Sequence, residues 1–234
     1  MDSVAIFGAN GFVGKKIYEG LVATGKYTVT PVTRDNYQEN VGKFYNIIIN
    51  SAMPGARFWA QNNPDKDFIE TVQKTANLIY GCKFDKFVQI STLSARCQLD
   101  TIYGRHKLAA EKISDYGSNL IFRLGAMFGD GLKKGVLVDM LKGQKVFVSK
   151  ESRYNFCDVA FIGSYIASHL DLEGIIEIGA FNTVCLADIA EYLNTESQFS
   201  GQTEIQEIQN PIQEMPDAKK VYEYLDKAKS YIIK

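Results

Sequence analysis

Tyr103 and Lys107 stand four residues apart in "TIYGRHKLAAEKI", and among the 13 tyrosines of the chain only Tyr103 has a lysine at that distance. Four residues make one helical turn, so the two side chains share a face if the segment is helical. A phenol and an ammonium so placed can pass a proton to or from an oxygen of a small molecule. The same spacing also fits a half-buried tyrosine that opens a helix and a lysine that solvates it. His106, between them, points another way on a helix and reads as structural or exposed.

A second group, near the N-terminus, supplies context. "FGANGFVG" sets Gly8, Gly11 and Gly14 at a three-residue period, directly after an apolar run and at the opening of an amphipathic one. Glycines let a backbone turn sharply and approach a pyrophosphate, whose charge is then held by amide N–H groups of the following helix. The chemistry is that of a dinucleotide. Its adenosine ribose is read where the second strand ends: a carboxylate there takes a 2′-hydroxyl, and an arginine takes a 2′-phosphate. "YTVTPVTR" ends in Thr33 and Arg34, and Arg34 offers a fork of donors with no carboxylate to repel the phosphate. Asp35 follows and would serve a free ribose if the register slipped. The cofactor expected is NADP, with NAD as the alternative.

These groups need elements to hold them. The runs 4–8, 27–32, 45–50, 86–91 and 119–124 have strand length and are rich in β-branched or aromatic residues. Between them, 12–24, 66–81 and 103–117 carry apolar residues at helical spacing, as where Val13, Ile17 and Leu21 fall on one face. Such alternation predicts an α/β fold with a doubly wound parallel sheet of Rossmann type, because parallel strands need long crossovers. The stretch 33–45 is too short for a strand and a helix, so one short helix and a missing strand are expected there. After 124 a helix over 161–170 and a last strand over 175–179 follow. Residues 1–124 with 155–179 read as the dinucleotide-binding domain, and 125–154 with 180–234 as a small C-terminal substrate lobe.

Lys and Arg total 26 against 27 Asp and Glu, so a net charge of −1 exerts no pull towards nucleic acid or a membrane surface, and 46% hydrophobic residues suffice for a substantial core. A small-molecule partner is expected. Cys82, Cys97, Cys157 and Cys185 form no CxxC pair and lie at no metal-site spacing with histidine, so they read as reduced thiols and no metal is expected. No apolar stretch approaches about 18 residues, and the N-terminus lacks the pattern of a signal peptide. A cytoplasmic location without a membrane span is expected.

The order of these motifs, "GANGFVG", "IIINSA", "FVQIST", "YGRHK" and "FRLGAMFGDG", resembles the extended branch of the short-chain dehydrogenase/reductase family, over residue 3 to about 195. The resemblance implies a reacting set of Thr92, Tyr103 and Lys107, with Ser91 and Ser94 as substitutes for Thr92 if the register differs. Thr92 would hydrogen-bond the substrate oxygen. Lys107, together with an oxidised nicotinamide, would pull the phenol down from about 10 towards the working pH, and would also grip the nicotinamide ribose. The implied cofactor contacts are Gly8, Asn10, Gly11, Phe12, Val13, Gly14, Thr33, Arg34, Ser51, Ala52 and Lys107.

Departures from the family qualify the substrate. Members acting on nucleotide sugars carry an asparagine where this chain has Ala126, and the segment from Thr92 to Tyr103 is brief. "SRYNFCDVAFIGSYI" resembles the region where an arginine meets the substrate diphosphate, which maps to Arg153, yet Ala160 and Phe161 replace the acidic pair that follows. Lys133, Lys134 and Lys150 add positive charge nearby in the sequence. The function expected is NADPH-dependent reduction of a keto group on a nucleotide sugar; the alternatives are an epimerase with bound NAD, a reductase of a non-sugar carbonyl, and an NADP-sensing binding module. Pairing of the helices at 66–81 and 103–117 with a second copy, aided by Ala109 and Ala110, would give a homodimer.

Overall fold

The central strands are runs of apolar residues buried on both faces, as a parallel sheet covered by helices requires. The computed structural model describes residues 1–232. In chain order, β1 (Asp2–Phe7), α1 (Phe12–Thr24), β2 (Tyr27–Val32), a short α2 (Tyr37–Asn40) and β3 (Phe44–Asn50) come first. Then follow α3 (Arg57–Asn62), α4 (Pro64–Phe68), a π turn at Ile69–Gln73, α5 (Lys74–Gly81), β4 (Lys83–Thr92), α6 (Ser94–Cys97), α7 (Ile102–Ser114) and β5 (Leu120–Leu124). The helix Val159–Ser168 and the strand Gly174–Ile178 complete the sheet region.

The sheet runs β2-β1-β3-β4-β5, with Gly174–Ile178 at the far edge. β1 pairs in parallel with both β2 and β3, β3 with β4, and β4 with β5. Chain order therefore reverses between β1 and β3, the point at which such sheets open a crevice beyond their C-terminal strand ends. Only α2 fills the gap after β2, which leaves β2 as an edge strand. Pro31 is tolerated there because an edge needs no N–H on its open side. Val4, Ala5, Ile6, Ile48, Ile49, Phe87, Val88, Leu120 and Phe122 are fully buried. Each large apolar side chain so placed contributes about 1.5–3 kcal/mol.

Local boundaries differ from the periodicity. The helix expected at 66–81 begins at Pro64, where proline fits a first turn, and it passes through the π turn before α5. α3 was masked in the sequence by Pro54 and Gly55 just before it. α7 stops at Ser114, short of 117, ahead of Gly117 in a left-handed conformation (φ 59°).

Packing divides the chain into two compact units, Met1–Leu124 with Ala160–Ile176, and Gly125–Val159 with the chain from Glu177 onwards. Residues 155–159 and 177–179 thus pack with the second unit rather than the first, because Tyr154 and Phe156 are buried in its core with Val184, Leu186, Ile189, Val221 and Leu225. That unit holds the helices Val136–Leu141, Leu186–Leu193 and Lys220–Ile232 and a small sheet in which Arg153–Tyr154 lies between Val184–Cys185 and Ile205–Gln206. Among the described residues no helix is long and apolar enough to cross a membrane, and no cluster of three or more metal-ligating side chains occurs.

Candidate active site

At the end of β1 the chain turns through Gly8 at φ +87°, and a Cβ there would lie 2.6 Å from the Ser51 carbonyl oxygen at the end of β3. A Cβ on Gly14 would lie 2.2 Å from the Gly8 carbonyl oxygen. Both glycines are therefore demanded by close backbone approach, and they set α1 with its first turn against the strand ends. Gly11 caps α1 without a side-chain hydrogen bond, and the first turn carries no acidic residue. Its amide groups form a cradle suited to an anion. Asn10 and Gly11 are exposed, Phe12 and Val13 are half-buried, and Ser51 and Ala52 follow β3 on the same edge of the sheet. Thr33 closes a turn in which its N–H donates to Asn36 Oδ1 at 2.8 Å, and Arg34 next to it is exposed.

Thr92 ends β4 and Tyr103 lies in the first turn of α7, where the Thr92 hydroxyl acts on the phenol as a hydrogen-bonding neighbour that opposes the effect of burial. Lys107, one turn on, has its Nζ 5.3 Å from the centre of the Tyr103 ring. α7 can lie this close because its N-terminus is capped by Thr101 Oγ1, which accepts from the Gly104 N–H at 3.0 Å, and because Gly104 has no side chain. A Cβ on Gly104 would meet the carbonyl oxygens of Gln98 at 2.1 Å and Ser94 at 2.7 Å. Of the neighbouring hydroxyls, Ser91 is turned away to donate to Glu111, and Ser94 meets Thr92 only at 3.4 Å.

Burial pushes the Tyr103 phenol up to about 12, against the opposing pull of the Arg57 guanidinium and the Thr92 hydrogen bond. In the chain alone, withdrawal from water outweighs any cation, so the phenol is held as an acid rather than drawn towards the phenolate. Burial also brings Lys107 down to about 7, opposed by Asp67 and then Glu111. Arg57 on α3 and Asp67 on α4 gave no signal in the sequence, since each reads as an ordinary helix-surface charge and meets α7 only through tertiary packing. His106 is not exposed: its Nδ1 lies 2.8 Å from Asp67 Oδ2.

Arg153 and Ala126 belong to the second unit. The Arg153 side chain is exposed, its Nε donates to Thr183 Oγ1 at 3.2 Å, and it makes no salt bridge among the described residues. Ala126 is tied through its backbone, its N–H donating to Asn155 Oδ1 at 3.4 Å and its carbonyl accepting from Cys157 at 2.9 Å. Lys133, Lys134 and Lys150 are exposed.

No protein-family model and no curated protein matches the chain. Solved structures do. UDP-glucuronic acid 4-epimerase from Bacillus cereus, in complex with UDP-glucuronic acid and NAD, is 16% identical with a TM-score of 0.73, over 99% of each chain. dTDP-4-dehydrorhamnose reductase from Bacillus anthracis, in complex with NADP, is 18% identical with a TM-score of 0.71, over 97% of this chain and 99% of that one. A dTDP-4-dehydrorhamnose reductase from Clostridium acetobutylicum reaches a TM-score of 0.76 at 16% identity, over 97% of this chain and 99% of that one. At such identities the likeness is one of fold, and the chain has the Rossmann-type α/β fold shared by these epimerases and reductases.

Proposed function

We propose that the chain is an NADPH-dependent reductase of a keto group on a nucleotide-activated sugar, acting in the cytoplasm. The observation that carries the reading is Lys107, buried one helical turn from Tyr103 with its Nζ 5.3 Å from the centre of the phenol ring, on α7, which comes after Thr92 at the end of β4. When bound, NADPH supplies hydride to the carbonyl carbon. Tyr103, kept protonated by burial, gives its proton to the carbonyl oxygen, and Thr92 aligns that oxygen and the phenol. Lys107 holds the nicotinamide ribose and returns charge balance to the phenol after transfer.

The glycine loop fits the dinucleotide on geometry, since Gly8 and Gly14 bring backbone where a side chain would block the turn. In this reading Gly8, Asn10, Gly11, Phe12, Val13 and Gly14 surround the pyrophosphate, Thr33 and Arg34 take the adenosine 2′-phosphate, and Ser51 and Ala52 flank the cofactor. Arg153 anchors the substrate diphosphate, and Ala126 leaves room where a longer side chain would contact the sugar. A second reading, an epimerase with bound NAD, is favoured by the fold likeness to the Bacillus cereus enzyme, which holds NAD.

The test is NADPH oxidation with a panel of nucleotide-linked keto sugars, with free UDP, dTDP, GDP and CDP as competitors. Turnover inhibited by one of these nucleotides, and inhibition weakened in Arg153→Ala, is the expected result. Turnover of simple ketones without nucleotide inhibition would replace the sugar by a non-sugar carbonyl. Absence of any turnover, with NADPH bound, would leave a binding module.

A further inference from the structure

We propose that Asp67, buried and faced by the half-buried His106, sets the charge of Lys107, which makes Asp67 a positioning residue for the Tyr103–Lys107 site; its effect on turnover rests on the function proposed above. Asp67, on α4, is fully buried. A carboxylate taken out of water keeps its charge only against a cation or hydrogen-bond donors. Its Oδ2 faces His106 Nδ1 at 2.8 Å, and its Oδ1 has no hydrogen-bond partner among the described residues. The His106 ring is held edge-on to Phe68, with centroids 5.6 Å apart, so packing fixes the imidazole against the carboxylate. His106 immediately precedes Lys107, and Lys107 is itself only 4% exposed.

Two carboxylates act on Lys107, Asp67 and Glu111. Glu111, one turn further along α7, accepts from Arg123 through both Nε and Nη2, the latter at 2.7 Å, and from the Ser91 hydroxyl. Its charge is compensated by Arg123 on β5. Arg57 on α3 acts on Tyr103. Asp67 faces the His106 imidazole through Oδ2 alone. Asp67 is also the larger of the two carboxylate influences that favour the Lys107 ammonium against burial. With the Asp67 charge removed, the buried amine is left with a neutralised Glu111–Arg123 pair and must lose its proton at lower pH.

The test reads Lys107 directly. Lysine Cε signals of the cofactor-free protein are titrated by NMR and assigned with Lys107→Arg. Asp67→Asn should lower the Lys107 midpoint by about one unit or more, which is a roughly tenfold loss of proton affinity; an unchanged or raised midpoint overturns the proposal. Where Asp67→Asn fails to fold, Asp67→Ser removes the charge with a smaller side chain. The Lys107 midpoint should again fall, and an unchanged or raised midpoint overturns the proposal. In turnover, the alkaline limb of kcat/KM should move to lower pH in Asp67→Asn and return in Asp67→Glu, whereas a merely structural role would lower activity equally at every pH and overturn the positioning role. Because the midpoint is measured without cofactor or substrate, an absence of turnover would defeat the proposed function and still leave the midpoint to judge Asp67.

Discussion

A phenol that must donate a proton is served by burial, and Tyr103, held up at about 12, is protonated across the physiological range. This polarity suits reduction, in which the carbonyl oxygen gains a proton as the carbon gains hydride. Tyr103→Phe keeps the ring over which Lys107 lies and removes only the acid, so kcat should fall on the order of 10²–10⁴-fold with NADPH affinity retained, as read by turnover and by fluorescence titration. Lys107 gives a second prediction, with a definite sign. Its folded value of about 7 lies below the unfolded value of about 10.4, so between those values the unfolded chain binds the extra proton and stability rises with pH. Urea midpoints of the cofactor-free protein should therefore climb from pH 7 to 10 more steeply in wild type than in Lys107→Met. Above about pH 10 Tyr103 reverses the trend, since the folded state then holds the proton that the unfolded one releases.

At the scale of elements, the site depends on how closely α7 approaches the turn after β4. Gly104 admits that approach, and Gly104→Ala would force a methyl group against the Gln98 and Ser94 carbonyls. The expected cost is about 1–3 kcal/mol in urea unfolding. Displacement of Tyr103 from Thr92 should lower kcat more than it weakens cofactor binding, because the glycine loop lies on a different strand end. The end of β2 yields a separate prediction. Arg34 is exposed and free to turn towards a 2′-phosphate, so Arg34→Glu should weaken NADPH binding by about tenfold or more and leave NADH binding little changed or improved. Equal NADPH and NADH affinities in wild type would shift the reading to the NAD-bound epimerase.

For the whole molecule, the homodimer remains a proposal resting on the helices of the first unit. Phe58, Phe68, Ile69 and Tyr80, on the segment from α3 to α5, are 46–81% exposed, which is unusual for aromatic and aliphatic side chains in one stretch. Ala110 is fully buried in its own unit, so of the two alanines expected at a pairing surface only Ala109 is on offer. A stable dimer buries roughly 1,600 Å². Light scattering at micromolar concentration should report twice the chain mass, and Phe58→Asp with Tyr80→Asp should return a monomer; a monomeric wild type would remove the proposal without touching the chemistry.

Local and periodic features were legible in the residues alone. Strand-length apolar runs alternating with helical spacing dictated the parallel sheet, the short stretch 33–45 dictated its missing strand, and Gly8, Gly11 and Gly14 dictated a tight turn into α1, because each is a property of adjacent residues. The face shared by Tyr103 and Lys107 followed in the same way from helical geometry. The tertiary structure alone decided the charges on that face. Burial, which depends on everything packed around α7, pushes the Tyr103 phenol up in the chain without cofactor, and Asp67, 39 residues from His106, became its partner only through the packing of α4 on α7. The boundary of the second unit was decided likewise, because Phe156 belongs to whichever core closes over it, and nothing in its neighbours along the chain says which.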